Sequence, residues 1–164
     1  MLLSRRFCTF SSSAETVYGF QVFEPAYKEP SMSAAITLFE SIPNAPKAVG
    51  PYSPAVRAGG MVFLSGQVGL NPETMQLVGP GIEEQTKQVL KNLSTVLEGV
   101  GLSFKDVVKT TIFLTDLNNF QTVNTIYGEA LGGHKPARST FQVSGLPLAA
   151  IVEIEMLALD RPSK

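Results

Sequence analysis

Two charged side chains near the end of the chain have residue types that could form a small-molecule cleft. Arg138 lies in RSTFQVS at 138–144, and Glu153 lies in IVEIEMLAL at 151–159. A guanidinium binds anions through parallel N–H donors, and a carboxylate can accept a proton. One sheet face that carries both residues would form such a cleft. A structural ion pair or scattered surface charges is the simpler interpretation, and the residues alone leave both open.

The other reactive side chains give little support for familiar catalytic sites. The chain has one cysteine, Cys8, and one histidine, His134, which excludes a zinc site, a disulfide framework and a Cys–His pair. Ser65 lacks the GxSxG context of a serine hydrolase, and His134 in GGHKP is typical of an exposed loop. No nucleotide-binding fingerprint is present, and Asp116 is expected to cap a helix. Tyr52 in GPYSPA is either a packing residue or a pocket wall.

The composition predicts a folded domain that associates with itself. The 164 residues include 13 Lys and Arg against 14 Asp and Glu, which gives a net charge of −1. That balance argues against nucleic-acid binding through phosphate neutralisation. Because 44 % of the residues are hydrophobic and only 16 % are charged, we expect part of the surface to be covered in an oligomer.

The hydrophobic pattern alternates between strand and helix. The chain is expected to follow the order β-β-β-α-β-α-β-β, with two helices covering one face of a mixed sheet in an α+β fold. Five of the six strands are placed at 36–40, 61–66, 107–115, 138–144 and 151–159, and the helices at 82–100 and 116–131.

Alternation in the last strand separates a buried face from an outward face. The even positions are uniformly apolar and should lie under the helices: Val152, Ile154, Met156 and Ala158. The odd positions carry Glu153 and Glu155 among aliphatic residues. The preceding strand splits in the same way, with Arg138 and Thr140 on one side and Ser139 and Phe141 on the other. We expect the outward face, which we assign to both Arg138 and Glu153, to contact another subunit.

The first 33 residues are expected to be an organellar transit peptide and linker, which leaves 34–164 as the domain. Residues 1–14 contain Arg5, Arg6 and several hydroxylated residues but no acid. Their apolar run is too short for a transmembrane span, so we expect no membrane partner. The mitochondrial matrix is the first expectation and a plastid the alternative, which the sequence leaves open, and translation from Met32 would give a shorter cytoplasmic form.

Seven separated segments together resemble the RidA/YjgF family of enamine/imine deaminases, also called the L-PSP endoribonuclease family. They occur in order within 36–160 and are AVGPYSPA at 48–55, LSGQ at 64–67, KTTIFL at 109–114, VN at 123–124, PARS at 136–139, LP at 146–147 and VEI at 152–154. The resemblance implies a chorismate-mutase-like fold. It also implies a homotrimer whose sheets face inward and whose sites lie in clefts between subunits.

The resemblance also implies roles for individual residues. Arg138 matches the arginine that binds the substrate carboxylate, and Glu153 matches the glutamate that orients or activates the attacking water. The matching pocket positions are Tyr52, Ser65, Gly66, Asn124 and Thr140. Of these, Tyr52 and Asn124 are expected to reach in from the neighbouring subunit. Thr140 stands where many members have cysteine, which puts a required thiol at that position in doubt.

The reaction that the resemblance implies is hydrolysis of 2-imino and 2-enamino acids, such as 2-aminoacrylate and 2-aminocrotonate, to 2-oxo acids and ammonia. These compounds are released by pyridoxal-phosphate enzymes, which the reaction would protect. No metal or cofactor is expected. The alternatives are an endoribonuclease that inhibits translation, and a carboxylate sensor or chaperone without turnover. The near-neutral charge and the lack of a basic, aromatic stripe argue against the first.

Overall fold

The computed structural model describes residues 35–161, which contain six strands and two α-helices. Their order is the expected β-β-β-α-β-α-β-β, and the elements are β1 (Thr37–Phe39), β2 (Ala55–Ala58), β3 (Met61–Val68), α1 (Ile82–Gly99), β4 (Val107–Leu114), α2 (Phe120–Ala130), β5 (Ala137–Gln142) and β6 (Val152–Leu159). The leader predicted at 1–33, with Cys8 and Met32, lies outside the described residues.

The strands form one mixed sheet in the order β1-β2-β3-β6-β4-β5. β4 and β5 are parallel, and every other neighbouring pair is antiparallel. The predicted α+β fold is therefore confirmed. Because β6 lies between β3 and β4, the last strand of the chain is central and places Glu153 beside residues from both neighbours.

The core lies between α1, α2 and one face of the sheet. All four even residues of β6 are buried there, as the alternation predicted: Val152, Ile154, Met156 and Ala158. The apolar residues of α1 lie along one stripe that is buried from Val89 to Val100, while Ile82 is only partly buried against the core. The helix ends at Gly99, and Gly101 has a φ of +81°, a backbone conformation that favours glycine.

The second helix begins later than the sequence pattern indicated. Asp116 caps a 3-10 turn at Leu117–Asn119, because its carboxylate accepts a hydrogen bond of 2.9 Å from the Asn118 backbone N–H. The α-helix itself begins at Phe120. Leu117, Phe120 and Ala130 are exposed in the described structure, and the buried residues of this helix are Val123 and Tyr127.

The other side of the sheet carries exposed apolar residues, and we call it the open face. Phe63 of β3 pairs with Leu157 of β6, and Phe113 of β4 pairs with Phe141 of β5. The Phe113 and Phe141 rings are stacked with centroids 6.4 Å apart, yet Phe141 remains 53 % exposed in the single chain. Such an apolar sheet surface is typical of an interface.

Candidate active site

One group of predicted site residues lines a cavity of about 400 Å³ beside β3. We call it the carboxylate half-site, and it contains Tyr52, Ser65, Gly66 and Glu153. The pairing of β3 with β6 shifts between Leu64 and Gln67, so Ser65 and Gly66 form an irregular segment, and Glu153 pairs with Val68 just beyond it. The Ser65 hydroxyl donates a hydrogen bond of 2.7 Å to the Ser53 carbonyl and fixes this segment to the loop that carries Tyr52.

Glu153 is a carboxylate of this half-site with the properties of a proton acceptor. Its carboxyl group lies directly against Gly66, since a Cβ atom added at Gly66 would come within 2.9 Å of its Cδ atom. Burial raises the pKa of Glu153, and the negative charge of Glu155 raises the pKa further. A carboxylate with a raised pKa is a stronger base than an ordinary glutamate, which suits proton transfer from water.

A second group of residues surrounds Arg138 beside β5 and α2, and we call it the arginine half-site. The Arg138 Nη2 atom donates a hydrogen bond of 2.8 Å to the Asn124 side-chain oxygen. Its Cζ atom lies 5.7 Å from the ring centroid of Phe120 and 5.0 Å from that of Tyr127. The guanidinium is thus oriented by one hydrogen bond and two cation–π contacts, which leaves its other N–H donors for a ligand.

Phe120 and Tyr127 are site residues that the sequence analysis missed. They lie four residues before and three residues after Asn124 on α2, so all three side chains lie along one side of the helix. The Tyr127 hydroxyl shares a hydrogen bond of 3.0 Å with Thr110 of β4, and burial raises the Tyr127 pKa. The helical spacing of both aromatic residues from Asn124 was the signal available in the sequence.

The two half-sites lie on opposite sides of the sheet. Thr110 of β4 pairs with Arg138 on one side and with Met156 on the other, so Arg138 shares the helix-covered face with the core. Glu153 pairs with Phe113 on the open face. The expectation that one face carries both Arg138 and Glu153 is therefore wrong, because opposed residues on neighbouring strands point to the same side.

The remaining predicted residues divide between these groups. Asn124 contacts Arg138 of its own chain and so belongs to the arginine half-site. Tyr52 lies with Glu153 in the carboxylate half-site. Thr140 is partly buried on β5 opposite Ile112 of β4 and lines neither cavity of the half-sites.

His134 is anchored, since its Nε2 atom lies 2.7 Å from the Val107 carbonyl. Within 35–161, no cluster of three or more His, Cys, Asp or Glu side chains is arranged to hold a metal ion. In the same range, neither helix has the length and apolar character needed to cross a membrane.

The profile of one protein family, described as endoribonuclease L-PSP, matches residues 42–160. The chain belongs to the endoribonuclease L-PSP family. Because this is the RidA/YjgF family under its other name, the resemblance is confirmed.

Relatives match this L-PSP family chain over most of their length. It is 47 % identical over 131 residues to the mouse 2-iminobutanoate/2-iminopropanoate deaminase, covering 80 % of this chain and 97 % of the relative. It is 48 % identical over 136 residues to the chloroplastic Reactive Intermediate Deaminase A of Arabidopsis thaliana, covering 82 % and 73 %. The crystal structure of RidA from a Psychrobacter species is 41 % identical with a TM-score of 0.72, covering 75 % of this chain and 99 % of that one.

A ligand-bound structure is also similar. The crystal structure of E. coli TdcF with bound serine has a TM-score of 0.70 to this chain at 36 % identity, and the match covers 75 % of this chain and 98 % of TdcF. The fold described here is therefore the fold of the family.

Proposed function

We propose that the protein hydrolyses 2-imino acids and their 2-enamino tautomers, including 2-aminoacrylate and 2-aminocrotonate, to 2-oxo acids and ammonia. The observation that carries this proposal is the oriented guanidinium of Arg138, whose remaining N–H donors suit a carboxylate. The relatives named as imine deaminases support it, because this chain matches the mouse protein over 97 % of that protein's length.

In the proposed reaction, Arg138 binds the substrate carboxylate and holds C2 of the imine in a fixed orientation. Glu153 accepts a proton from a water molecule, whose oxygen forms a bond to C2. As this bond forms, the C2=N double bond becomes a single bond and nitrogen takes up the proton from Glu153. The C2–N bond then breaks while the remaining hydrogen of the hydroxyl group moves to nitrogen, so ammonia leaves and C2 becomes the carbonyl carbon of the 2-oxo acid. A 2-enamino acid first gains a proton at C3 to become the imine. Each turnover thus consumes one water molecule and uses no oxidant.

The active site is assembled from two copies of the chain in this proposal. Arg138 and Glu153 lie on opposite faces of one sheet, so a substrate held by Arg138 meets the Glu153 of a neighbouring copy. The exposed apolar residues of the open face, among them Phe63, Phe141 and Leu159, would be covered in a homotrimer whose sheets face inward. Tyr52, Ser65 and Gly66 then belong to the subunit that supplies Glu153, and Asn124 to the subunit that supplies Arg138.

We also propose that the enzyme is located in an organelle. Residues 1–14 have the basic, hydroxylated and acid-free composition of a transit peptide, and we assign 1–33 to targeting and 34–164 to the enzyme. The mitochondrial matrix is the proposed location, where the reaction would protect pyridoxal-phosphate enzymes from the reactive enamines that they release. Imaging a fluorescent fusion of the full chain distinguishes the matrix from a plastid, and a fusion beginning at Met32 should stay in the cytoplasm.

The decisive experiment is a coupled assay on the full chain. A threonine dehydratase generates 2-aminocrotonate, and 2-oxobutanoate formation is followed with the wild type, Arg138→Ala and the control Arg161→Ala, which alters an exposed arginine paired with Asp106. The proposal expects acceleration that Arg138→Ala abolishes and Arg161→Ala retains. Acceleration that survives Arg138→Ala would overturn the assigned site.

A folded protein that accelerates nothing would instead support a carboxylate sensor. Glu153→Gln separates the sensor from the enzyme. A sensor keeps its affinity for 2-oxobutanoate and has no rate to lose, whereas an enzyme loses rate. Cleavage of RNA that depends on Arg138 or Glu153 would favour the endoribonuclease alternative.

A further inference from the structure

The arginine half-site opens into a cavity of about 440 Å³ that carries a second cation. Lys135 and Arg138 both line it, together with His134, Asn124 and Tyr127. The rest of its lining is glycine and proline, and no acidic side chain of the described residues contributes to it. The cavity therefore has a positive charge that its own wall does not neutralise.

The backbone that carries Lys135 is held in place. Gly132 and Gly133 have φ values of 58° and 90° and form the turn after α2. The next residue, His134, is anchored through the contact of 2.7 Å between its Nε2 atom and the Val107 carbonyl. Pro136 then restricts Lys135 to an extended conformation. The lysine is thus presented at a fixed place on the cavity wall, three residues before Arg138 in the chain.

Arg138 and Lys135 differ in how many of their N–H donors already have a partner within the described chain. Arg138 gives one N–H to Asn124 and lies near the rings of Phe120 and Tyr127, so its remaining donors suit a single carboxylate. Lys135 is exposed and makes no hydrogen bond or ion pair with any side chain of residues 35–161. Its ammonium group is available for a second anionic group on the same ligand.

We propose that Lys135 is a specificity residue for 2-imino acids whose side chain carries a second carboxylate, such as 2-iminosuccinate and 2-iminoglutarate. This inference rests on the proposed function, in which Arg138 binds the carboxylate next to the imine carbon. The Cα atoms of Lys135 and Arg138 are three residues apart in the chain and so lie at most about 10 Å from each other. Both side chains are long enough to converge on carboxylates separated by two or three carbons. The reaction itself is the same hydrolysis, with water consumed and ammonia released.

The test compares two imines made in the cuvette by amino acid oxidases with catalase present. L-Glutamate gives 2-iminoglutarate, L-2-aminobutanoate gives 2-iminobutanoate, and the imine that remains is trapped as its semicarbazone and followed by absorbance. The full chain is assayed as wild type, Lys135→Met, Lys135→Arg and Lys91→Met, where Lys91 is an exposed lysine of α1 outside both half-sites. The quantity compared is kcat/KM for the dicarboxylic imine divided by kcat/KM for the monocarboxylic imine.

Lys135→Met is expected to lower this ratio about threefold at low salt, which is the effect of one solvent-exposed charge pair. Lys135→Arg and Lys91→Met should keep the wild-type ratio, and 0.5 M salt should shrink the difference through screening. An unchanged ratio in Lys135→Met, or an equal loss with both imines, would overturn the inference. A wild type that accelerates neither imine would instead show that the proposed function fails, and the assignment of Lys135 would fail with it.

Discussion

The Glu153 carboxyl group lies against Gly66, in the space that a side chain at residue 66 would occupy. A Cβ atom added there would overlap Oε1 of Glu153, come within 2.9 Å of its Cδ atom and lie 3.1 Å from its Cγ atom. The lack of a side chain at Gly66 therefore affects the position of Glu153 as well as the irregular backbone of β3. It leaves room for the proposed base to lie flat on the backbone of the neighbouring strand.

Gly66→Ala should displace the Glu153 side chain and lower kcat for imine hydrolysis at least tenfold. The atoms that would clash belong to the end of a flexible side chain, so Glu153 can rotate away while the sheet keeps its structure. We expect the free energy of unfolding to change by less than about 1 kcal/mol. Steady-state kinetics and chemical denaturation measure the two effects.

Gly145→Ala is the matched control, because a Cβ atom at Gly145 would meet no other atom within 4 Å. It should leave both the rate and the stability unchanged. Full activity in Gly66→Ala would contradict the role given to the Gly66–Glu153 contact.

Glu155→Gln should move the acid limb of the kcat/KM profile to lower pH. Burial and, secondarily, the Glu155 charge raise the pKa of Glu153, and the base works only when it is deprotonated. Removing the second charge lowers the Glu153 pKa, so activity persists into more acidic solution. Because burial remains, the shift is only partial. Initial rates across pH 4 to 8 measure it, and Glu129→Gln, an exposed carboxylate on α2, should not shift the profile.

Phe120→Leu should raise KM about three- to tenfold with kcat little changed, since a cation–π contact that helps to orient Arg138 is lost. Tyr127→Phe keeps its ring beside Arg138 but loses the hydrogen bond to Thr110. That variant should retain its KM and lose about 1 kcal/mol of stability. If Phe120→Leu lowered only stability, the Phe120 ring would have a structural role alone. If Tyr127→Phe raised KM equally, loss of a ring beside Arg138 would not explain the higher KM.

The sequence was informative wherever one element carries its own pattern. Alternation within β6 identified the buried residues from Val152 to Ala158, and the long apolar stripe identified α1. β2, with the sequence AVRA, has too short a pattern to be bounded in this way.

The relative facing of Arg138 and Glu153 could not be read from such local patterns. It depends on how β5 and β6 each pair with β4, and a register shift of one residue would reverse it. Alternation within β5 correctly separated Arg138 from Ser139, but it could not say which of the two lies under the helices. The aromatic contacts of Arg138 could not be predicted from local patterns either, because they join residues of α2 to a residue of β5.

The opposite facing of Arg138 and Glu153 predicts that two inactive variants restore activity together. Arg138→Ala and Glu153→Gln chains, carrying different affinity tags, are co-expressed and the mixed assemblies are purified through both tags. Each site needs an intact Arg138 from one copy and an intact Glu153 from the next. In a mixed trimer, one of the three sites combines the two intact residues, so assemblies carrying both tags should have about a third of the wild-type sites.

Recovery of activity to that extent, measured as 2-oxobutanoate formation, would show that each site contains residues from two chains. The control is a mixture of Glu153→Gln and Glu153→Ala chains with the same tags, which should stay inactive because every copy lacks the base. If each chain contained a whole site, the Arg138→Ala and Glu153→Gln mixture would also stay inactive, since every chain lacks one of the two residues. Mixed assemblies that form but recover no activity would thus refute the shared site while leaving the fold and the family unaffected.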